Sequence, residues 1–325
     1  MGKNKLYYAN IDIMRVFFLF SIIAAHSSVT RIEITGKWSE MIWKIWQVWS
    51  CIGVPGFLII SGYLFKEKQE SFILMTYKKV QSIIIPWIVC GVIIYLICNY
   101  PKIGVKEMIQ FIIGYNSYLY YNLILLGCFF IFYLLPYNLI FFLFCIIINI
   151  LSLYFTQYGI YHAVFTNFLN IINWIGYFAV GCLFKKYHIL LNIKSQSIII
   201  QWVIIALSTI IFICAVLSGI ENYFNWFMFV VGVGIVIGIY CFCSFERINK
   251  IPYISKIGKW AFTIYLLHMP LVAVAKKIVR WICTDLYILI PFVIILIFCI
   301  VLEFIQKLSD KSRFFKYITK ILGMR

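Results

Sequence analysis

The chain has 325 residues, of which 64% are hydrophobic and 12% charged, with a mean hydropathy of +0.98 and a formal net charge of +17. An ordinary soluble domain is about half apolar, so this composition excludes one and defines an integral membrane protein. The positive balance does not point to nucleic acid, because the basic residues are distributed between apolar runs in the way that sets membrane topology.

A helix that crosses hydrocarbon needs about 20 mostly apolar residues, so the length leaves room for roughly ten spans. Ten segments are predicted, at about 9–29, 45–65, 80–98, 119–136, 138–156, 167–184, 197–217, 224–244, 258–275 and 286–305. The expected fold is therefore all-α and polytopic, one transmembrane domain over residues 1–325. The first run follows Lys3 and Lys5 as a secretory signal would. However, Asp12 and Arg15 interrupt it and no small-residue cleavage site follows, so it is read as a retained span. The fourth and fifth segments are separated by little more than Pro136-Tyr137-Asn138, which predicts a tight helical hairpin.

If the N-terminus is cytoplasmic, alternate loops assign nineteen lysines and arginines to that side and eight to the other. Both termini are accordingly expected in the cytoplasm. The tail, about 306–325, interleaves basic and apolar residues as a helix on an anionic leaflet would. The eleven cysteines lie nearly all within apolar runs and lack the spacing of a metal or disulfide framework; they read as small buried hydrophobes, and no metal is expected.

Three polar groups lie within the first apolar run. Asp12 and Arg15 are three positions apart and share a helix face. His26, eleven residues beyond Arg15, falls about 20° from the same stripe. An ionisable group at the centre of a span costs on the order of 2.5–3.5 kcal/mol, and such groups face a bundle interior or a wet cavity. Eleven residues rise about 16.5 Å, so Arg15 and His26 cannot both touch one small reacting group. Either the substrate is long or two substrates meet. Arg15 suits a phosphate or an oxyanion, and a neutral His26 suits a hydroxyl proton. Asp12 is read as an N-terminal-turn acid paired with Arg15.

The second span ends in Val-Pro-Gly-Phe-Leu-Ile-Ile-Ser-Gly-Tyr. Its small residues, among them Gly53, Gly56, Ser61 and Gly62, favour close helix approach or passage of a ligand chain. Ser61 lacks the nucleophile-elbow pattern and is not read as a nucleophile. In the ninth span Tyr265 and His268 share a face, with Gly258 near its start and Pro270 beyond; a Tyr-His hydrogen bond is the simple structural expectation. Glu303 is expected to be interfacial or paired. The Trp and Tyr residues of the outer loops, including Trp43, Trp46, Trp49, Tyr118, Tyr120 and Tyr121, are read mainly as an interfacial belt. His162 and His188 carry no assignment.

Three stretches together resemble the bacterial acyltransferase-3 family of integral membrane O-acyltransferases, which includes polysaccharide O-acetyltransferases. They are Asp12, Arg15 and His26 in the first span; Phe57, Ser61, Gly62 and Tyr63 in the second; and Gly258, Tyr265, His268 and Pro270 in the late span. The chain departs from the family pattern at Leu58 and Ala261, and it carries Lys78 and Lys79, not arginine, before Pro86-Trp87. The resemblance implies acyl transfer from a cytoplasmic acyl-CoA, expected to be acetyl-CoA, to a hydroxyl of a surface glycan or lipid-linked sugar, in a bacterial plasma membrane. His26, Arg15 and Asp12 are the expected catalytic group, with Ser61, Gly62, Tyr63, Tyr265, His268, Lys78 and Lys79 contacting substrate. Acyl-CoA is a co-substrate, and no bound cofactor is expected. The competing reading is a glycolipid or polysaccharide transporter or flippase, although no paired broken helices or internal repeats support it.

Overall fold

The computed structural model describes residues 2–30, 33, 37–67, 71–160, 166–249 and 252–324. Among these no strand occurs, and the chain is built from sixteen α-helices with short 3-10 and π segments. Eight helices or continuous helical stretches are long and apolar enough to cross a membrane: Ala9–Ser27, Ser39–Tyr63, Phe72–Asn99, Leu139–Gln157, Ile198–Leu217, Phe227–Ser244, Tyr253–Ile282 and Thr284–Ser309. The other two predicted segments form shorter helices, α7 (Tyr120–Leu134) and α9 (Ile175–Lys186).

The short α9 has a local cause. Residues 167–174 carry three asparagines, and the side chains of Asn170 and Asn173 bond nearby polar groups, which competes with helical pairing. Asn170 accepts from the Ile172 N–H, Asn173 donates to Asn167 O, and Ser152 donates to Asn173 Oδ1 at 2.6 Å.

The remaining boundaries shift for equally local reasons. The second predicted span is two helices, α2 (Lys37–Ser50) and α3 (Gly53–Tyr63), joined by a turn at Cys51 and Ile52. The third begins earlier than predicted, with α4 (Phe72–Lys79) capped by Ser71, and runs through a π segment at Val80–Ile84 into α5 (Ile85–Asn99). Pro86 has no N–H and its ring would clash with the carbonyl four residues back. The widened π turn, in which the Ile85 N–H reaches Val80 O, lets the helix continue past it. The connection from α7 to α8 (Leu139–Gln157) is as short as predicted, with Asn138 capping Phe141 N. The two helices meet at the connected end, where Phe132 packs on Phe141 and Phe142, while α8 lies along α9.

At the centre stands α1 (Gly2–Ser27), packed against α14 (Pro252–Ile282), α3, α12 (Phe227–Ser244) and α15 (Ile290–Ser309). Behind it α3 crosses α9 at backbone contact: a Cβ on Gly62 would meet Phe178 O at 2.1 Å, and one on Gly181 would meet Ile59 O at 2.0 Å. Large apolar side chains point outward along α8, α11 (Ile198–Leu217) and α15, among them Ile140, Trp202 and Phe304. In a bilayer these contact lipid, a placement that water would not tolerate over so large a surface.

Two expectations about aromatics are corrected. Trp43 and Trp46 are buried, and their indole N–H groups donate to Val29 O and Ala24 O at the end of α1; Tyr118, Tyr120 and Tyr121 are buried as well. The two indoles close the bundle around the end of α1. Glu303 is paired, with Lys256 at 3.2 Å. His162 lies outside the described residues.

Candidate active site

The stripe on α1 faces α14 along its length. At its start the two helices touch: a Cβ on Gly258 would lie 1.8 Å from Asp12 O, so only glycine permits the crossing. Asp12 is buried there, accepting from Arg15 Nη1 at 2.6 Å and from Ser255 Oγ at 3.4 Å. The carboxylate fixes the guanidinium, whose other donors remain available on the open side.

Arg15 lines a cavity of about 400 Å³ bounded by α1, α3, α4 with its π extension, α7 and α14. Five cationic side chains line it, Arg15, Lys66, Lys78, Lys79 and Lys259, and among the described residues no carboxylate does. Lys79 lies 3.2 Å from the centre of the Phe129 ring, a cation–π contact that holds its stem against the wall. Further along α1 the lining turns apolar at Ile22 and Phe57. Ser61, Tyr121 and Tyr265 add hydroxyl groups to the lining. This is an electropositive mouth leading to a largely apolar interior, a layout suited to a ligand with an anionic head and a long neutral arm.

Tyr265 forms the wall between the cavity and a histidine pair. Its hydroxyl donates to Tyr118 O at 2.6 Å, and its ring stands 5.5 Å from Tyr121 and 6.1 Å from His268. The His26 and His268 rings are 5.2 Å apart, and Tyr118 packs edge-on against both, at 5.9 Å and 5.2 Å. The bond expected between Tyr265 and His268 takes a different form: His268 Nδ1 lies 2.7 Å from the Tyr265 backbone carbonyl, not from its hydroxyl. A carbonyl can only accept, so Nδ1 carries the proton and Nε2 presents a lone pair. That Nε2 is buried with no protein partner among the described residues. Lys276, from the far end of α14, donates to His26 O and Ser28 O at 3.3 and 3.0 Å and closes the end of α1.

Of the residues singled out from sequence, Arg15, Ser61, Lys78, Lys79 and Tyr265 line the cavity, and Asp12 supports Arg15 from behind. His26 and His268 form a second centre beyond the tyrosine wall. Gly62 sits in the α3–α9 crossing, and Tyr63 is buried outside the cavity lining. Sequence reasoning missed Lys66, Lys259 and Tyr121. The two lysines had an adequate explanation as topological charge, and Tyr121 as part of an aromatic belt; only their convergence on one cavity distinguishes them.

A family model described as an acyltransferase domain, that of the acyltransferase-3 family, matches residues 8–305. The chain belongs to this family, and it is a multi-pass membrane acyltransferase. No curated protein and no solved structure matches it.

Proposed function

We propose that this protein is an O-acyltransferase of a bacterial plasma membrane, with both termini cytoplasmic, that moves an acetyl group from cytoplasmic acetyl-CoA to a hydroxyl of a surface glycan or lipid-linked sugar. The observation that carries the reading is the cavity: five cations around its mouth, no carboxylate among the described residues, and an apolar interior that runs along α1 toward the histidine pair. The donor's phosphates lie among Lys66, Lys78, Lys79 and Lys259, and Arg15 holds the next polar part of the arm, where charge-assisted hydrogen bonds are strongest. The pantetheine arm extends past Ile22 and brings the thioester toward Tyr265. A long donor therefore answers the separation of about three helical turns between Arg15 and His26.

Past Tyr265, His26 takes the proton of the acceptor hydroxyl as its oxygen attacks the thioester carbonyl. Collapse of the tetrahedral intermediate breaks the carbon–sulfur bond, and the proton returns to the departing CoA thiolate. His268, fixed by the Tyr265 carbonyl and in ring contact with His26, orients that imidazole. The test is release of CoA thiol from acetyl-CoA and longer acyl-CoAs by purified protein with a glycolipid extract, wild type beside His26→Ala. Turnover is expected only in the wild type. Equal turnover by the variant, or no turnover and no heat protection by any acyl-CoA, would refute the proposal.

A further inference from the structure

A second cavity, of about 390 Å³, lies at the opposite end of α5 from Lys78 and Lys79, between that end, α6 (Val105–Ile113), the 114–119 connection and Met269 of α14. Its floor is Tyr118, the ring that packs edge-on against both His26 and His268. Both cavities thus approach the histidine pair, the first through Tyr265 and the second through Tyr118 and Met269, the residue next to His268.

Three hydrogen bonds fix the walls. Trp87 Nε1 donates to Ile112 O at 2.9 Å, Ser117 Oγ donates to Phe111 O at 2.6 Å, and the Tyr118 hydroxyl donates to Leu266 O at 2.6 Å. The lining chemistry is opposite to that of the first cavity. Phe111, Tyr115 and Tyr118 offer ring faces, and Asn99, Gln110 and Glu107 offer amides and one carboxylate; among the described residues no lysine or arginine lines it. Flat apolar faces beside neutral donors and acceptors match a pyranose ring, which has C–H faces and equatorial hydroxyls. A carboxylate without a cation in the lining repels an acidic sugar.

We infer that this cavity is the acceptor subsite and that Glu107 makes it select an uncharged pyranoside over an acidic one. The inference rests on the acyltransferase reading given above. A hydroxyl of a sugar seated on Tyr118 and Tyr115 is directed at the histidine pair, while the donor thioester arrives past Tyr265.

The test uses the full chain in nanodiscs, with acetyl-CoA and longer acyl-CoAs as donors and octyl β-D-glucopyranoside or octyl β-D-glucuronide as the acceptor probe. Wild type should acylate the glucoside with a kcat/KM at least fivefold above that for the glucuronide. Tyr115→Ala, with Gln110→Ala as a milder second variant, should raise the glucoside KM at least fivefold and leave the acyl-CoA KM unchanged. Glu107→Gln should bring the two acceptors within about twofold of each other. Heat protection by acyl-CoA reports folding and donor binding in every variant. Acceptor constants unchanged in all three variants, equal use of both probes by the wild type, or acyl-CoA protection with neither probe acylated would overturn the inference and leave the donor reading standing. Absence of acyl-CoA protection in the wild type would instead remove the reading beneath it, and this inference with it.

Discussion

The sharpest consequence of the fold concerns Gly258. A methyl group there would sit 1.8 Å from Asp12 O, against a limit of about 3.0 Å that Cβ contacts respect, so Gly258→Ala forces α14 away from α1 by at least about 1.2 Å. The obstacle is backbone, which no rotamer change relieves, and overpacking of this kind costs about 1–3 kcal/mol. The displaced helix also carries Ser255, Lys259, Tyr265 and His268, so the Asp12 support, the tyrosine wall and the 5.2 Å histidine contact are disturbed together. Misplacement of about 1 Å at a reacting centre can lower a rate by about 100-fold. The expected result is a membrane-inserted protein with a lower melting temperature in detergent and acyl transfer reduced by one to two orders of magnitude. The measurements are a fluorescence-detected size-exclusion melt and CoA release. A variant that melts and turns over like the wild type would show that the helices do not cross at this glycine, and the site geometry built on that crossing would fall.

Other outcomes follow from the same contacts. His26→Ala should abolish transfer while leaving membrane insertion and acyl-CoA heat protection intact; retained transfer refutes its role as base. Arg15→Ala leaves a buried carboxylate without its partner, at a cost of about 1–3 kcal/mol. Adding Asp12→Asn should restore the melt but not activity, and recovery of both would show that Arg15 serves stability alone. Lys79→Glu should raise the acyl-CoA KM several-fold and weaken its dependence on ionic strength, read from initial rates at two salt concentrations; an unchanged KM removes Lys79 from the donor site. On the connection after α1, the Thr30 backbone N–H bonded to Glu33, helped by the Thr30 hydroxyl and by Arg280 at 3.0 Å, holds the Glu33 carboxyl below its ordinary range. A lowered carboxyl stabilises the fold above its unfolded value and loses that contribution as pH falls through the folded one. In an exposed setting this amounts to less than about 1 kcal/mol. Melts between pH 7 and pH 3 should therefore decline slightly less for Glu33→Gln than for wild type, and a steeper decline would contradict the assignment.

Much of this protein was legible before any coordinates. Apolar runs of about 20 residues can be satisfied only as helices in hydrocarbon, so the all-helical class follows from composition and length. The Asp12, Arg15 and His26 stripe follows from helical periodicity alone, because helical spacing fixes which residues share a face whatever they pack against. Tertiary structure decided the rest. The sixth predicted span became the short α9 because asparagine side chains took over local backbone partners, a competition that hydropathy does not register. The basic residues were visible one by one, yet their gathering depends on α1, α3, α4 and α14 all bounding one cavity. Gly62 and Gly258 read alike in sequence; helix crossings made the first a contact with α9 and the second the point where the Asp12 backbone meets α14. The tautomer of His268 is set within its own helix turn by the Tyr265 carbonyl, three residues back, because a group that can only accept dictates the tautomer of whatever donates to it. The histidine pair itself joins residues 242 positions apart, and only the packing of α14 on α1 brings those two rings together.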